Sequence, residues 1–168
     1  MRKILPFATI LFVSFVLSSC AGLQSESAYI QSYDFSKLKV YTIYPSTALK
    51  ERAPVLASTI SGIIDSILPT KGFIRGNEIH DFVVTFYTET EIETAYGSVN
   101  FERWRGFWSN KEEPLFTVKG LIVIDLIDAN TGQVIWRGWE TRLAGREDDP
   151  KTVIRSVISD IFAQFPPK

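Results

Sequence analysis

A chain of 168 residues has room for one domain of ordinary size, and its 45% hydrophobic, 13% aromatic and 22% charged residues exclude disorder throughout. Its 18 basic and 19 acidic residues nearly balance, so charge gives no reason to expect a nucleic-acid-binding protein. A single cysteine and a single histidine exclude an intramolecular disulfide and a zinc site built from these two residue types.

The first twenty residues have the pattern of a secretion signal that ends at a cysteine. Basic residues at positions 2 and 3 precede an apolar run from Ile4 to Leu17, and a run of about fourteen residues is too short to span a membrane but fits a signal peptide. The segment Leu17-Ser18-Ser19-Cys20 follows and resembles the lipobox of bacterial lipoprotein precursors. We therefore predict that residues 1–19 are a lipoprotein signal peptide and that Cys20 becomes the lipid-bearing first residue.

The lipobox resemblance implies a chemistry and a location. The Cys20 thiol carries a diacylglycerol and the new amino terminus an acyl group such as palmitate, and several acyl chains together anchor a protein stably in a membrane. Ala21 rather than aspartate follows, which in enterobacterial-type sorting implies the outer membrane, with the protein facing the periplasm. The alternative is an incidental cysteine in a conventional cleavage region. Residues 20–32 are small and polar and predict a flexible tether, so the folded domain comprises residues 33–168.

The first half of the mature chain predicts one strand and one helix. β-forming residues alternate over residues 35–44, and Pro45 ends this strand. From Glu51 the apolar residues follow a helical period, with Pro54 near the first turn and Gly72 placed to close the helix. A membrane-surface helix would carry a basic polar face that this segment lacks, so we interpret the apolar stripe as core. The stripe consists of Leu56, Ile60, Ile63, Ile64, Ile67 and Leu68.

Four further strands are predicted in the middle of the chain. The second and third, Asp81–Glu89 and Ile92–Tyr96, are rich in β-forming residues. Leu115–Ile127 is the clearest strand, and turn residues at 128–133 connect it to a partner strand, Val134–Trp139. The last two strands are therefore expected to form a hairpin.

The chain ends in a second helix. Asp148 or Asp149 is placed to cap it, Pro150 occupies its first position, and Pro166 and Pro167 end it. The order β-α-β-β-β-β-α predicts an α+β fold, with a single antiparallel sheet of about five strands and two helices packed on one face. The apolar face of the second helix consists of Val153, Ile154, Val157, Ile158, Ile161, Phe162 and Phe165.

Five segments, taken in order, carry a family resemblance. They are Asp34–Tyr41, Lys71–Phe73, Gly120–Ala129, Val134–Trp139 and Phe165–Pro167. Together they resemble the bacterial lipoprotein family named domain of unknown function 4136, and the resemblance covers roughly residues 30–168. Each segment is a turn or core pattern, so the resemblance implies a fold class and an envelope location but no reaction. Pro69 departs from the family pattern, in which the helix runs straight into Lys-Gly.

Few residues are arranged for catalysis. His80 is the most natural general base at neutral pH, but no partner is evident and a structural role is favoured. Glu89, Glu91 and Glu93 alternate, so a single strand through them would place three carboxylates on one face, able to bind a cation or support hydrolysis. A solvated strand face is the simpler interpretation.

Two aspartates flank the predicted hairpin turn. Asp125 and Asp128 are expected to shape this turn through side-chain hydrogen bonds rather than to ligate a metal. The sequence has no phosphate loop, dinucleotide fingerprint, nucleophile elbow or metalloprotease motif. We therefore expect no cofactor, no metal site and no catalytic residue.

The segment from Tyr96 to Trp108 combines five aromatic residues with two arginines and two glycines. Aromatic residues and arginine predominate in binding hot spots, so we predict a partner-binding site there. The alternative is a hairpin whose aromatic residues cap the core. The residues of this predicted site are Tyr96, Phe101, Arg103, Trp104, Arg105, Phe107 and Trp108.

These observations favour a non-catalytic, lipid-anchored module that faces the periplasm and binds an envelope protein or glycan in assembly or maintenance. One alternative is a hydrolase or transferase acting on envelope lipid or peptidoglycan. Another is a carrier that holds a hydrophobic ligand between sheet and helices. Buried carboxylates clustered in a cleft would favour the enzyme, and a deep apolar cavity would favour the carrier.

Overall fold

The computed structural model describes residues 25–94, 116–144 and 148–166, which form one six-stranded sheet with helices packed on one face. The α+β class predicted from the sequence is confirmed. The strands are β1 (Glu26–Tyr29), β2 (Val40–Ile43), β3 (Ile74–Arg75), β4 (Phe82–Thr94), β5 (Phe116–Asp128) and β6 (Val134–Ala144). The helices are α1 (Thr47–Arg52), α2 (Pro54–Ile67) and α3 (Pro150–Ala163), and short 3-10 segments lie at Phe35–Lys37 and Leu68–Lys71.

The sheet is mixed, with the strand order β1-β6-β5-β4-β2-β3. β1, β6, β5 and β4 run antiparallel to one another, whereas β2 lies parallel to both β4 and β3. Two helices carry the chain from the end of β2 back to its start, so the strands that follow run in the same direction as β2. The prediction of about five strands, all antiparallel, with two helices is wrong in these details.

Three short elements were not predicted from the sequence. The predicted second and third strands form one continuous strand, β4. β1 lies within the segment interpreted as a tether, so ordered structure begins earlier than the sequence indicated. α1 precedes α2 because Pro54 lacks the N–H that would continue a single helix, and Ser46 caps α1 by accepting from the Leu49 N–H. β4 runs unbroken and pairs along its whole length with β5. The two-residue β3 adds the sixth strand.

The core lies between the helices and one face of the sheet. The predicted stripes of α2 and α3 both face this core, as the buried Ile60 and Ile158 show. Trp136 of β6 stacks on Phe162 of α3, with ring centroids 6.1 Å apart. A Cβ built on Gly138 would lie 2.3 Å from the Trp136 ring and 2.6 Å from Ile161, so only glycine fits beneath them.

The ends of the helices agree with the predicted signals. Asp149 caps α3 by accepting from the Thr152 N–H at 2.8 Å, and Pro150 is the first helical residue. Gly72 follows the 3-10 segment after α2 in the left-handed conformation, at a φ of 89°. Pro69 lies within that 3-10 segment, which explains why the departure from the family pattern does not disrupt the helix end.

The central strands are longer than the helices that cover them. β4 and β5 have 13 residues each and span about 43 Å, whereas α2 and α3 have 14 residues each and span about 21 Å. We call the part of the sheet that the helices cover the near half. In this half β1 pairs with β6, and β2 pairs with β4. The far half consists of Thr88–Thr94, Phe116–Ile122 and Glu140–Ala144.

Candidate functional site

An apolar groove lies where the sheet extends past the helices. It has a volume of about 350 Å³, within the range of about 300–1,000 Å³ that is usual for ligand pockets. Both α2 and α3 begin beside it, so their first turns form one side and the far half of the sheet forms the other. The groove is lined mainly by apolar surface, from Leu56, Val153, Ile154 and Val157 on the helices and Thr88, Thr90, Gly120, Ile122, Arg142 and Ala144 on the strands.

A glycine opens the middle of the groove. Gly120 of β5 lies between Thr90 of β4 and Arg142 of β6 in the strand register. A Cβ built on Gly120 would have no atom within 4 Å. A larger side chain at this position would therefore occupy the groove without displacing the surrounding residues.

Arg142 is the centre of a small network of charged side chains at the groove. The Nε of Arg142 donates to Oε1 of Glu140 at 2.7 Å, and its Nη2 donates to Oδ2 of Asp160 at 2.9 Å. Two carboxylates thus share one guanidinium. Asp148 also lines the groove, whereas Glu89 alternates with Thr88 and Thr90 along β4, so its side chain lies on the opposite face of the sheet.

Glu140 is a buried carboxylate at the edge of this network. Its side chain is 1% exposed, and burial raises its pKa more than the contact with Arg142 lowers it. Its Oε2 is buried and has no hydrogen-bond partner among the described residues. A single ion-paired carboxylate is not the cluster in a cleft that would favour an enzyme, and within the described part of the chain no such cluster opens into the groove.

The residues first considered for catalysis lie apart. His80 precedes β4, whereas the groove begins at Thr88, and the buried His80 Nδ1 has no partner among residues 25–94, 116–144 and 148–166. Glu89, Glu91 and Glu93 do alternate along one unbroken strand, as the hypothesis of a shared face required. Of the three, only the side chain of Glu89 is described, and it is exposed.

The two aspartates near the hairpin have different roles. Asp128 shapes the turn as predicted, since its Oδ1 accepts from the backbone N–H groups of Asn130 at 2.9 Å and Thr131 at 2.8 Å. Its Oδ2 accepts from the Tyr33 hydroxyl at 2.5 Å, and this hydrogen bond is the main cause that lowers the Asp128 pKa. Asp125 does not contact the turn; it forms a bidentate pair with Arg137 on the neighbouring strand, at 2.6 and 2.7 Å.

The opposite face of the sheet has no helix over it in the described structure. Tyr87, Val123 and Trp139 form one row across β4, β5 and β6. Val123 is only 4% exposed although it lies outside the main core. Strand alternation places these three residues on the face opposite the core, and it is the sequence signal by which they could be found.

The remaining predicted sites lie outside the described residues. Among the described ones, no three side chains of the types that ligate metals come together. No described helix is both long and apolar enough to cross a membrane. The predicted residues that the structure does not describe are Cys20, Tyr96, Phe101, Arg103, Trp104, Arg105, Phe107 and Trp108.

The fold is similar to that of solved structures of distant sequence. A PDZ domain protein from Parabacteroides distasonis ATCC 8503 matches with 15% identity and a TM-score of 0.60, over 87% of this chain and 36% of that chain. PelC from Paraburkholderia phytofirmans, solved as a dodecamer, matches with 15% identity and a TM-score of 0.53, over 83% of this chain and 94% of that one. At these identities the likeness shows the fold alone. This chain spans about a third of the length of the PDZ domain protein.

The sequence comparisons give a family but no activity. No curated protein is significantly similar to this sequence. The family model described as Domain of unknown function (DUF4136) matches residues 25–167, which include every element of the sheet and all three helices. The match confirms the resemblance seen in the five sequence segments. The chain belongs to the DUF4136 family.

Proposed function

We propose that this protein is a lipoprotein of the bacterial cell envelope that binds an apolar ligand in its groove without catalysing a reaction. In this proposal Cys20 carries the lipid anchor, and the domain faces the periplasm from the outer membrane. The lipobox-like segment and the family match support the envelope assignment. The observation that carries the binding function is the open apolar groove of about 350 Å³.

The chemistry of the groove favours binding over catalysis. Arg142 lines it, but its guanidinium is already shared by Glu140 and Asp160. Thr88 and Thr90 supply hydroxyl groups, yet His80 lies before the strand that carries them. The cavity therefore supports the carrier alternative from the sequence, while no observation among the described residues specifically supports the hydrolase or transferase.

Nile red, an uncharged apolar dye, tests groove binding on the mature chain produced without its signal peptide. Gly120→Leu places a side chain in open space within the groove, so we expect at least a tenfold loss of dye affinity with an unchanged melting temperature. Gly62→Leu is the matched control, because a Cβ on this exposed residue of α2 also meets nothing within 4 Å. Equal dye binding by both variants and the wild type would contradict the proposal.

Self-assembly is a second candidate function, favoured by the uncovered sheet face. Tyr87 and Trp139 of this row are half-buried on either side of the buried Val123, and no described helix lies over them; aromatic residues are enriched at interfaces. PelC, which has a similar fold, was solved as a dodecamer. Light scattering of the full mature chain tests this candidate, and Trp139→Ala should shift an oligomer toward monomer. A monomer at all concentrations would exclude it.

A further inference from the structure

The outer side of β6 is paired along only part of its length. β1 covers β6 from Trp136 to Trp139, with Glu26 opposite Trp139. The last five residues of β6, Glu140–Ala144, pair with β5 on their inner side but with no described strand on their outer side. We call this outer side the open edge. Backbone N–H and C=O groups along such an edge are a template for a further strand.

The hydrogen bonds of β1 show which backbone groups point outward on the open edge. The Ile30 N–H donates to the Ile135 carbonyl at 3.1 Å, and these two residues are opposite each other when the register of β1 is continued. Hydrogen-bonded pairs recur at every second residue of an antiparallel ladder. The groups that point away from β5 on the open edge are therefore those of Thr141 and Leu143.

The chain before β1 fits the open edge in direction and in length. β1 runs antiparallel to β6, so the residues that precede Glu26 are directed along Glu140–Ala144. Residues 21–25 number five, which equals the length of the open edge. None of them is proline, so each has the N–H that a ladder requires. This segment is therefore long enough to pair with the whole open edge.

The side chains of this segment also fit the continued register. Leu23 falls opposite Arg142, on the face of the sheet that carries the groove, and Gln24 falls opposite Thr141 on the other face. Leu23 is the one large apolar residue among residues 21–25. A shift of the register by one residue would turn Leu23 away from the apolar lining of the groove.

We propose that residues 21–25 extend β1 along the open edge and complete the pairing of β6 in the far half of the sheet. The segment is already joined to β1, so it is present at a high effective concentration, whereas a second copy or another protein must first associate. The pairing itself requires only these residues. One consequence rests on the proposed function: if Cys20 carries a lipid, the anchor is held at the Ala144 corner of the sheet instead of on a flexible tether.

Amide hydrogen exchange followed by NMR on the purified mature protein in detergent micelles tests this pairing. We expect the amides of Thr141 and Leu143 to exchange slowly. Gln24→Pro removes the N–H that faces Thr141 in this register, so it should speed the exchange of both amides by about tenfold or more. Ser25→Pro is the matched control and should leave their exchange unchanged, because the Ser25 N–H points away from β6 and proline is tolerated at such a position.

A second measurement on the wild type does not depend on a variant. Pairs that are not hydrogen-bonded bring their Cα atoms to about 4.5 Å in an antiparallel ladder. A nuclear Overhauser effect between the α protons of Leu23 and Arg142 is therefore expected. Its absence would overturn the proposal, whatever the proline variants do to the stability of the domain.

The exchange data have equally definite outcomes. Fast exchange of Thr141 and Leu143 in the wild type would overturn the proposal, and so would equal effects of the two prolines. Slow exchange that is lost on dilution would assign the open edge to a second copy. Mass spectrometry of Cys20 tests the anchor separately, because an unlipidated Cys20 would refute the anchor while the exchange of these amides would still decide the pairing.

Discussion

The near and far halves of the sheet share the same three central strands but differ in what covers them. In the near half Gly138 lies beneath Trp136 and Ile161, so tightly that a single added carbon would collide with them. In the far half Gly120, on the same face of the adjacent strand, has open space above it. Glycine therefore serves opposite purposes in the two halves of the sheet. It allows close packing in one half and leaves room for a ligand in the other.

A charge placed in the near half should have the largest effect. Ile158→Asp puts a carboxylate at a fully buried position of α3, and a buried unpaired charge costs several kcal/mol against a total stability of about 5–15 kcal/mol. We expect the variant to be unfolded in a thermal melt followed by circular dichroism. Ser159→Asp is the matched control because the next residue along α3 is exposed. A normal melting curve for Ile158→Asp would show that the buried face of α3 is assigned incorrectly.

The two glycines provide the most direct test of the comparison. Gly138→Ala should lower the free energy of unfolding by about 1–3 kcal/mol, since the added methyl group overpacks the core against Trp136. Gly120→Ala should change it by about 0.5 kcal/mol or less. Urea denaturation of both variants measures the difference. Equal losses of stability would mean that the two halves are packed alike.

Glu140 lies at the boundary between the two halves of the sheet. Its burial predicts that the free energy of unfolding depends on pH. Burial raises its pKa in the folded state, so the folded protein binds a proton more readily than the unfolded chain does. Its contribution to stability therefore falls as the pH rises from the unfolded pKa through the folded pKa. Glu140→Gln removes this loss of stability at higher pH. Each unit of difference between the folded and unfolded pKa corresponds to about 1.4 kcal/mol in the free energy of unfolding. Denaturation across pH 4–8 should show the stability of the variant, relative to wild type, increasing with pH; a decrease would reverse the assigned sign.

The segment that joins the far ends of β4 and β5 should affect binding rather than stability. We expect the double change Trp104→Ala and Arg105→Ala to leave the melting temperature unchanged and to remove crosslinked partners from envelope preparations. The reason is the concentration of aromatic and arginine side chains in residues 96–108. A destabilised domain would indicate that these side chains belong to the core, and unchanged partners would exclude this segment as a binding site.

Cys20→Ala should have the smallest effect on the fold and a complete effect on the anchor. Only the thiol can accept the diacylglycerol, so mass spectrometry should find no lipid on the variant while both halves of the sheet retain their stability. Membrane fractionation of the wild type then tests the location. Recovery in the inner membrane would refute the sorting inferred from Ala21 without affecting lipidation.

The parts of the fold that were predictable are those with local signals. Asp149, Pro150 and the apolar stripe define α3 within one segment, and Asp128 with Gly132 defines the hairpin turn. β1 has no such signal, because Glu26–Tyr29 shows no apolar alternation and is held by pairing with a strand far along the chain. The parallel pairing of β2 with β4 likewise depends on where two helices return the chain.

The groove was not predictable in the same way. The groove forms because β4 and β5 extend beyond α2 and α3. These strands and helices are distant in sequence, so no short segment of the chain reveals the difference in their lengths. Gly120 within a strong β-forming run was the one local signal, since glycine inside a strand often marks a close approach or an open site. The sequence could raise the idea of a cavity between sheet and helices, but only the packed structure places it.

The pairing of β1 with β6 has a mechanical consequence. Tension on the segment before Glu26 acts along the axis of β1, while the hydrogen bonds that hold β1 to β6 lie across that axis. Such a pull loads the hydrogen bonds between β1 and β6 in shear, so they resist the force together. A pull perpendicular to the strand would instead break them one after another. The load continues into the bond from the Ile30 N–H to the Ile135 carbonyl, at 3.1 Å, and the bond from the Tyr33 hydroxyl to Asp128, at 2.5 Å. The short strand β1 is thus placed to fasten the domain against force from its amino-terminal end.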